Sequence, residues 1–309
     1  MSKGKNGFAH YMIKEIYDQP EAVRTVVEDN LDSHGKVVLQ QLGLSRELIR
    51  TIDKITIAAS GSSRHAGMVG EFMLERMVGL NVEVDFASQY CYRDPVVSPH
   101  ELTIFPSQSG TTIDTITALQ VARKKGASSL AICNVPETPL TQLADATLLT
   151  HAGEEVAIAA TKSFTTQLAV LYLLTLSMAR LRGRMTAHSV AGLIEQLERL
   201  PELLASSLES WEQQMRAVAE HTRQARGFLY LGRGIHYAIA REGALKLKES
   251  AYIQAEGYPA GELKHGPNAL VSKDAPLVMI ATQDRDDPDS VLRYEKTLQL
   301  MKDMKEQGA

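Results

Sequence analysis

Through the first half of the chain, short apolar runs rich in β-branched residues alternate with segments of helical period. Residues 55–59, 82–87 and 102–106 read as strands, and 67–77 and 115–125 read as helices between them. That alternation predicts βαβ units, in which each crossover helix returns the chain to the same end of the sheet, so the strands pair in parallel. Strands at 129–135 and 146–151 and a long apolar helix at 163–181 complete one doubly wound α/β domain. Residues 183–186 break the pattern, and 189–222 reads as two polar helices with Pro201 between them, a connector.

The pattern then begins again. A strand at 228–231, the turn Gly232-Arg233-Gly234 and a helix repeat the strand at 55–59, the turn Ser60-Gly61-Ser62-Ser63 and its helix. A strand at 276–282 and a helix at 290–308 likewise match 102–106 and 115–126, which sets Gly308 opposite Gly126. The expected organisation is a leader with helices at 1–50, a first sheet domain at 51–183, a helical connector at 184–226 and a second, related domain at 227–309. The second domain is expected to be incomplete, because two strands and the closing helix of the first have no counterpart in it.

Length agrees, since 309 residues exceed one ordinary domain and suit two, each with its own core. A formal net charge of -4 with interspersed signs offers no basic stripe for nucleic acid and no polybasic face for a membrane. Neither partner is expected, and an anionic substrate requires a local site. Cys91 and Cys133 lie far apart without CxxC or Cys/His spacing, so neither a metal site nor a disulfide framework is expected, and no cofactor is called for. Residues 1–14 lack the apolar stretch of a signal peptide, and the longest apolar run, 168–179, is too short to span a bilayer. The expected location is the cytoplasm.

Two loops of the first half carry candidate chemistry, Ser60-Gly61-Ser62-Ser63 and Ser107-Gln108-Ser109-Gly110-Thr111-Thr112, each between a strand and a helix. A strand feeding a helix N-terminus brings free N–H groups and the positive end of a helix dipole to one spot. Hydroxyls add donors there, and glycine lets an anion come close. Two such loops in one sheet flank the crevice where open α/β sheets bind ligands. The competing reading is that these residues only cap their helices, the usual role of Ser and Thr at such positions. A nucleotide reading also arises, because Gly232-Arg233-Gly234 follows one strand and Asp85 lies near the end of another. These belong to different halves, and the first loop has serine where a dinucleotide motif has its first glycine, so NAD(P) is not expected.

In the second half, Glu242, Lys246 and Glu249 at i, i+4 and i+7 share one face of a helix expected over 237–254. Such a cluster suits acid–base chemistry and equally suits a solvated, salt-bridged face, and spacing leaves both open. The run Gly257-Tyr258-Pro259-Ala260-Gly261-Glu262-Leu263-Lys264-His265-Gly266-Pro267 reads as a loop whose glycines and prolines set the backbone around His265, a side chain able to exchange protons near neutral pH.

In order along the chain, Ala59-Ser60-Gly61-Ser62-Ser63, the loop from Ser107 to Thr112, Glu242-Gly243-Ala244-Leu245-Lys246-Leu247-Lys248-Glu249 and Gly261-Glu262-Leu263-Lys264-His265-Gly266-Pro267 resemble the sugar-isomerase (SIS) half of the glucosamine-6-phosphate synthase family. So does the leader His10-Tyr11-Met12-Ile13-Lys14-Glu15-Ile16-Tyr17-Asp18-Gln19-Pro20. The resemblance implies two tandem doubly wound parallel-sheet SIS domains. It implies conversion of fructose 6-phosphate and ammonia to glucosamine 6-phosphate, with a proton moved between C1 and C2 by a positioned base. It assigns phosphate binding to Ser107, Gln108, Ser109 and Thr112 with Ser62 nearby, the proton shuttle to Glu249 with help from Lys246, and ring opening to His265 from a neighbouring subunit, hence a homodimer. The family's glutaminase domain has no counterpart in this sequence, so a separate glutaminase is a possible partner. Ser60 stands where the family has cysteine. The family's C-terminal tail lysine, which forms a Schiff base with the open sugar, is also without a counterpart, and Lys162 has no claim to that role. A fragment or a chain of reduced activity is therefore expected. Two other readings stay open: a stand-alone glucosamine-6-phosphate deaminase or related isomerase, and a sugar-phosphate sensor without turnover.

Overall fold

The computed structural model describes residues 4–31, 44–272 and 274–308. The chain divides into two compact units, Met1–Leu208 and Glu209–Ala309.

The first unit is built on five parallel strands, β1 (Lys54–Ala59), β2 (Asn81–Phe86), β3 (Glu101–Ser107), β4 (Ser128–Cys133) and β5 (Ala146–Leu149), in the order β2-β1-β3-β4-β5. The central strands are covered on both faces, which is why they read as continuous apolar runs rather than alternating ones. In β3 every residue is buried, including Glu101, whose carboxylate accepts the Thr56 hydroxyl at 2.6 Å. Helices α1 (Tyr11–Tyr17) and α2 (Gln19–Asp29) come from the leader, followed by α3 (Arg46–Thr51) before the sheet. The crossovers are α4 (Gly61–Val78), α5 (Ala87–Tyr90), α6 (Ile113–Lys124) and α7 (Pro139–Leu143).

After β5 comes α8 (Lys162–Leu181), within one residue of the helix expected at 163–181. By length and composition it could cross a membrane, but 61% of its apolar window is buried inside the protein, and it packs against α4 and α2 as a core helix. The next two helices are α9 (Ala187–Glu198) and α10 (Leu200–Thr222). Expected as a polar connector helix, α9 instead carries an apolar face and buries Val190, Ile194 and Leu197, an i, i+4, i+7 stripe that joins the first core. Pro201 lies inside the first turn of α10, where its missing N–H would have had no intrahelical partner.

The second unit holds β6 (Gly227–Gly232), α11 (Ile235–Ala251), β7 (Gln254–Pro259), β8 (Leu277–Met279) and α12 (Pro288–Glu306), with strand order β7-β6-β8. This is the β2-β1-β3 arrangement of the first unit again. The repeat reaches the backbone: α6 and α12 are followed by Gly126 and Gly308, with φ of +95° and +93°. A small core of Leu229, Leu231, Ala260, Leu263, Leu300 and Met304 holds the unit together.

One expected helix is too long. Instead of reaching Gln254, α11 stops at Ala251, Tyr252 turns with φ +56°, and 254–259 becomes β7, paired residue for residue from Gly227↔Gln254 to Gly232↔Pro259. Sheet pairing, a non-local event, decides here. Gly257 is therefore not a loop glycine: a Cβ there would sit 2.7 Å from Arg241 Cα, so its absence lets β7 lie against α11. The residues after β7 are also more ordered than a free loop, forming two 3-10 turns, Ala260–His265 and Pro267–Leu270.

Candidate functional site

Both candidate loops of the first unit open onto one pocket of about 210 Å3. Ser60, Ser62 and Ser63 line it from the β1–α4 turn, and Ser107, Gln108, Ser109 and Thr112 from the β3–α6 turn. It lies at the carboxyl ends of β1 and β3, where the strand order reverses.

The capping alternative can be examined side chain by side chain. Ser45, Thr138, Thr186 and Asp287 each accept a backbone N–H of the helix they precede. Ser60 and Thr112, the N-cap residues of α4 and α6, make no such bond. Two helix N-termini therefore keep their N–H groups uncapped by side chains at one pocket, an arrangement that favours an anion. The second loop is rigid: Gly110 N–H donates to Ser107 Oγ at 3.1 Å, and Thr111 N–H donates to Ser109 Oγ at 3.3 Å. Gly110 has φ +65°, and a Cβ on it would fall 2.1 Å from Thr138 Oγ1, so only glycine closes this turn.

Pro106 at the end of β3, with Thr115, Ala160, Ser163, Phe164 and Gln167, completes the lining, and sequence reasoning assigned none of these six to a site. A signal existed for two of them, because Ser163 and Gln167 are polar residues one turn apart at the start of an otherwise apolar helix. Glu155 fixes this wall: its carboxylate accepts the N–H groups of Thr161 at 2.9 Å and Ser163 at 3.2 Å, and the Ser163 hydroxyl as well. Lys162, 4% exposed, places its ammonium 3.0 Å from Asp18 of the leader.

In the second unit, Lys246 Nζ lies 3.2 Å from Glu242 Oε1 and 2.6 Å from Glu249 Oε2. Glu242 is buried while Glu249 is 29% exposed, so the cluster is graded from interior to surface rather than lying on a solvated face. His265 is exposed at the end of its 3-10 turn and does not join these ion pairs; Leu263, fully buried, anchors that turn. The residues of the nucleotide reading are occupied otherwise. Asp85 pairs with Arg93 at 2.5 Å, and Gly232 is required because a Cβ would meet the His236 carbonyl at 2.2 Å.

The SIS domain family model matches residues 48–177 and 222–300. The chain belongs to the SIS domain family. Among SIS relatives, a glutamine–fructose-6-phosphate aminotransferase (isomerizing) of Caldanaerobacter subterraneus subsp. tengcongensis is 41% identical over 304 residues, covering 98% of this chain and 49% of the relative. A protein of the same name from Corynebacterium glutamicum is 42% identical over 91% of this chain and 45% of its own length. The chain thus spans about half the length of these curated relatives. Among solved structures, the C-terminal domain of glucosamine-fructose-6-phosphate aminotransferase from Francisella tularensis superimposes with a TM-score of 0.91 at 38% identity, over 98% of this chain and 82% of that one.

Proposed function

We propose that this chain is the isomerase part of a glutamine–fructose-6-phosphate aminotransferase, taking fructose 6-phosphate and ammonia to glucosamine 6-phosphate. The observation that carries the reading is the pair of helix N-termini, at Ser60 and Thr112, left without side-chain caps at one pocket. A phosphate dianion accepts hydrogen bonds only, and this pocket offers backbone N–H groups and hydroxyls. In the proposal Ser107, Gln108, Ser109 and Thr112 hold the phosphate with Ser62 beside them. The protein works as two tandem SIS domains, 51–183 and 227–309, joined through 184–226. Both cysteines are free thiols, which suits a reducing cytoplasm.

The chemistry needs one base that gives back what it takes. Ring opening, assigned to His265 of a second copy in a homodimer, frees the C2 ketone. Ammonia, from solution or a separate glutaminase, adds at C2 and water leaves, forming an imine. Glu249 removes a C1 proton, the C1–C2 double bond forms, and the imine nitrogen takes up a proton. Glu249 then returns its proton to C2 while the C1 hydroxyl loses its own, leaving an aldehyde and an amine. Lys246, 2.6 Å from Glu249, keeps the carboxylate oriented for both transfers.

The test is proton NMR of the chain with fructose 6-phosphate in deuterated water, with and without ammonia. Deuterium at C1 or C2, or glucosamine 6-phosphate formed with ammonia, each lost in Glu249→Gln, is the expected result. Binding of the sugar phosphate with no exchange by the wild type would overturn the enzymatic reading and leave a sensor.

A further inference from the structure

Gln167 lies in the second turn of α8, is 2% exposed and lines the pocket. Its Nε2 donates to Ser63 Oγ at 3.0 Å, while its Oε1 is buried without a hydrogen-bond partner. A buried acceptor left unmade destabilises the fold, so a residue that merely filled this space would serve better as methionine or leucine. What glutamine adds is the hydrogen bond it donates to Ser63. A serine hydroxyl has one proton and two lone pairs. With a lone pair engaged by Gln167, the Ser63 proton must point elsewhere, and Ser63 itself lines the pocket.

We propose that Gln167 is a positioning residue: by donating to Ser63 Oγ it fixes Ser63 as a hydroxyl donor toward a bound phosphate ester, at the expense of its own unsatisfied carbonyl. The inference rests on the phosphate-ester reading of this pocket. A rotating hydroxyl would present oxygen lone pairs to the dianion part of the time, whereas a fixed one is preorganised as a donor. The same geometry makes the pocket sensitive to the sign of position 167. A carboxylate there would accept the Ser63 proton instead of donating, and would add negative charge beside the ligand.

The experiment uses the full chain and two probes, fructose 6-phosphate and inorganic phosphate, titrated calorimetrically beside thermal melts. Gln167→Met removes both the donor and the orphaned carbonyl. It is expected to melt at or above the wild-type temperature yet bind both probes about five- to tenfold more weakly, the worth of one oriented hydrogen bond. Gln167→Glu is expected to bind more weakly still. Because Gln167 acts through Ser63, adding Gln167→Met to Ser63→Ala is expected to cost little further affinity. A Gln167→Met protein that loses thermal stability but binds with wild-type affinity would overturn the proposal alone, as would strictly additive losses in the double variant. A folded wild type that binds neither probe would overturn the phosphate-ester reading, and this proposal with it.

Discussion

Glu15 Oε1 accepts the backbone N–H of Val156 at 2.6 Å, joining leader helix α1 to the segment that precedes α8. The same carboxylate takes the N–H of Ala157, and Glu15 is only 1% exposed. Gln19 adds a bond at 2.5 Å from the Thr165 hydroxyl. These contacts reach the stretch that supplies Ala160, Ser163, Phe164 and Gln167 to the pocket, so the leader braces one wall of the site without itself lining it.

Glu15→Ala leaves two N–H groups without their acceptor, and the expected loss is about 2 kcal/mol, since an unmade buried bond costs about 1–3 kcal/mol. Urea unfolding measures it. Binding of fructose 6-phosphate to the folded variant should weaken as well, while Glu15→Gln, which keeps one oxygen acceptor, should recover part of both. Unchanged affinity in a destabilised Glu15→Ala protein would reduce the leader to a stabilising strap.

Acid should loosen the same junction. Burial works against the Asp18 carboxylate, but hydrogen bonds from Lys14 and Lys162 outweigh it and hold its pKa below the usual value. The folded state then binds fewer protons than the unfolded chain in the acid range. The stabilisation is complete above the ordinary aspartate value, about 3.9, and is lost as pH falls through the lowered folded value. Asp18→Asn should be less stable near neutral pH and should show a flatter stability curve below about pH 4. Parallel curves for the two proteins would show that the Asp18 pairs with Lys14 and Lys162 contribute nothing.

Gly110→Ala is expected to abolish phosphate-ester binding. The substituted Cβ would collide with Thr138 Oγ1 and with Cys133 Sγ, 2.8 Å away, and the residue would still have to adopt φ +65°. The turn must then open, which moves Ser107 and Ser109 together. Titration with inorganic phosphate reads the loss; binding within twofold of wild type would contradict the rigidity of this turn.

The duplicated sheets were legible because their cause is local. Each strand is a short apolar run, each crossover a helical period, and the turn residues punctuate both, so even Gly308 opposite Gly126 could be aligned before their matching backbone angles were seen. The pocket's two loops were legible for the same reason, as Ser, Thr and Gly cluster where a strand meets a helix. What stayed hidden depended on partners distant in sequence. Gln254–Pro259, read as a helix end running into a loop, becomes a strand because β6 offers a parallel edge. Gln167 looks like a polar interruption in α8 until Ser63, 104 positions away, is beside it. Nor could spacing tell that Glu242 is buried and Glu249 is not.

That gradient separates two roles for Lys246. Removing its ammonium in Lys246→Met takes the cationic partner from Glu242, which is 5% exposed, and breaking a buried pair costs about 3–5 kcal/mol. The variant is therefore expected to be both unstable and inactive, which by itself says little. Pairing it with Glu242→Leu removes the carboxylate that lost this ion pair, and such replacements of a buried pair by apolar groups of similar volume are often neutral. The double variant should regain most of its stability against urea. If Lys246 orients Glu249 for proton transfer, deuterium exchange at C1 and C2 of fructose 6-phosphate should stay depressed in that stable protein. Exchange that returns with stability would make Lys246 a structural counter-ion to Glu242 and leave Glu249 to act alone.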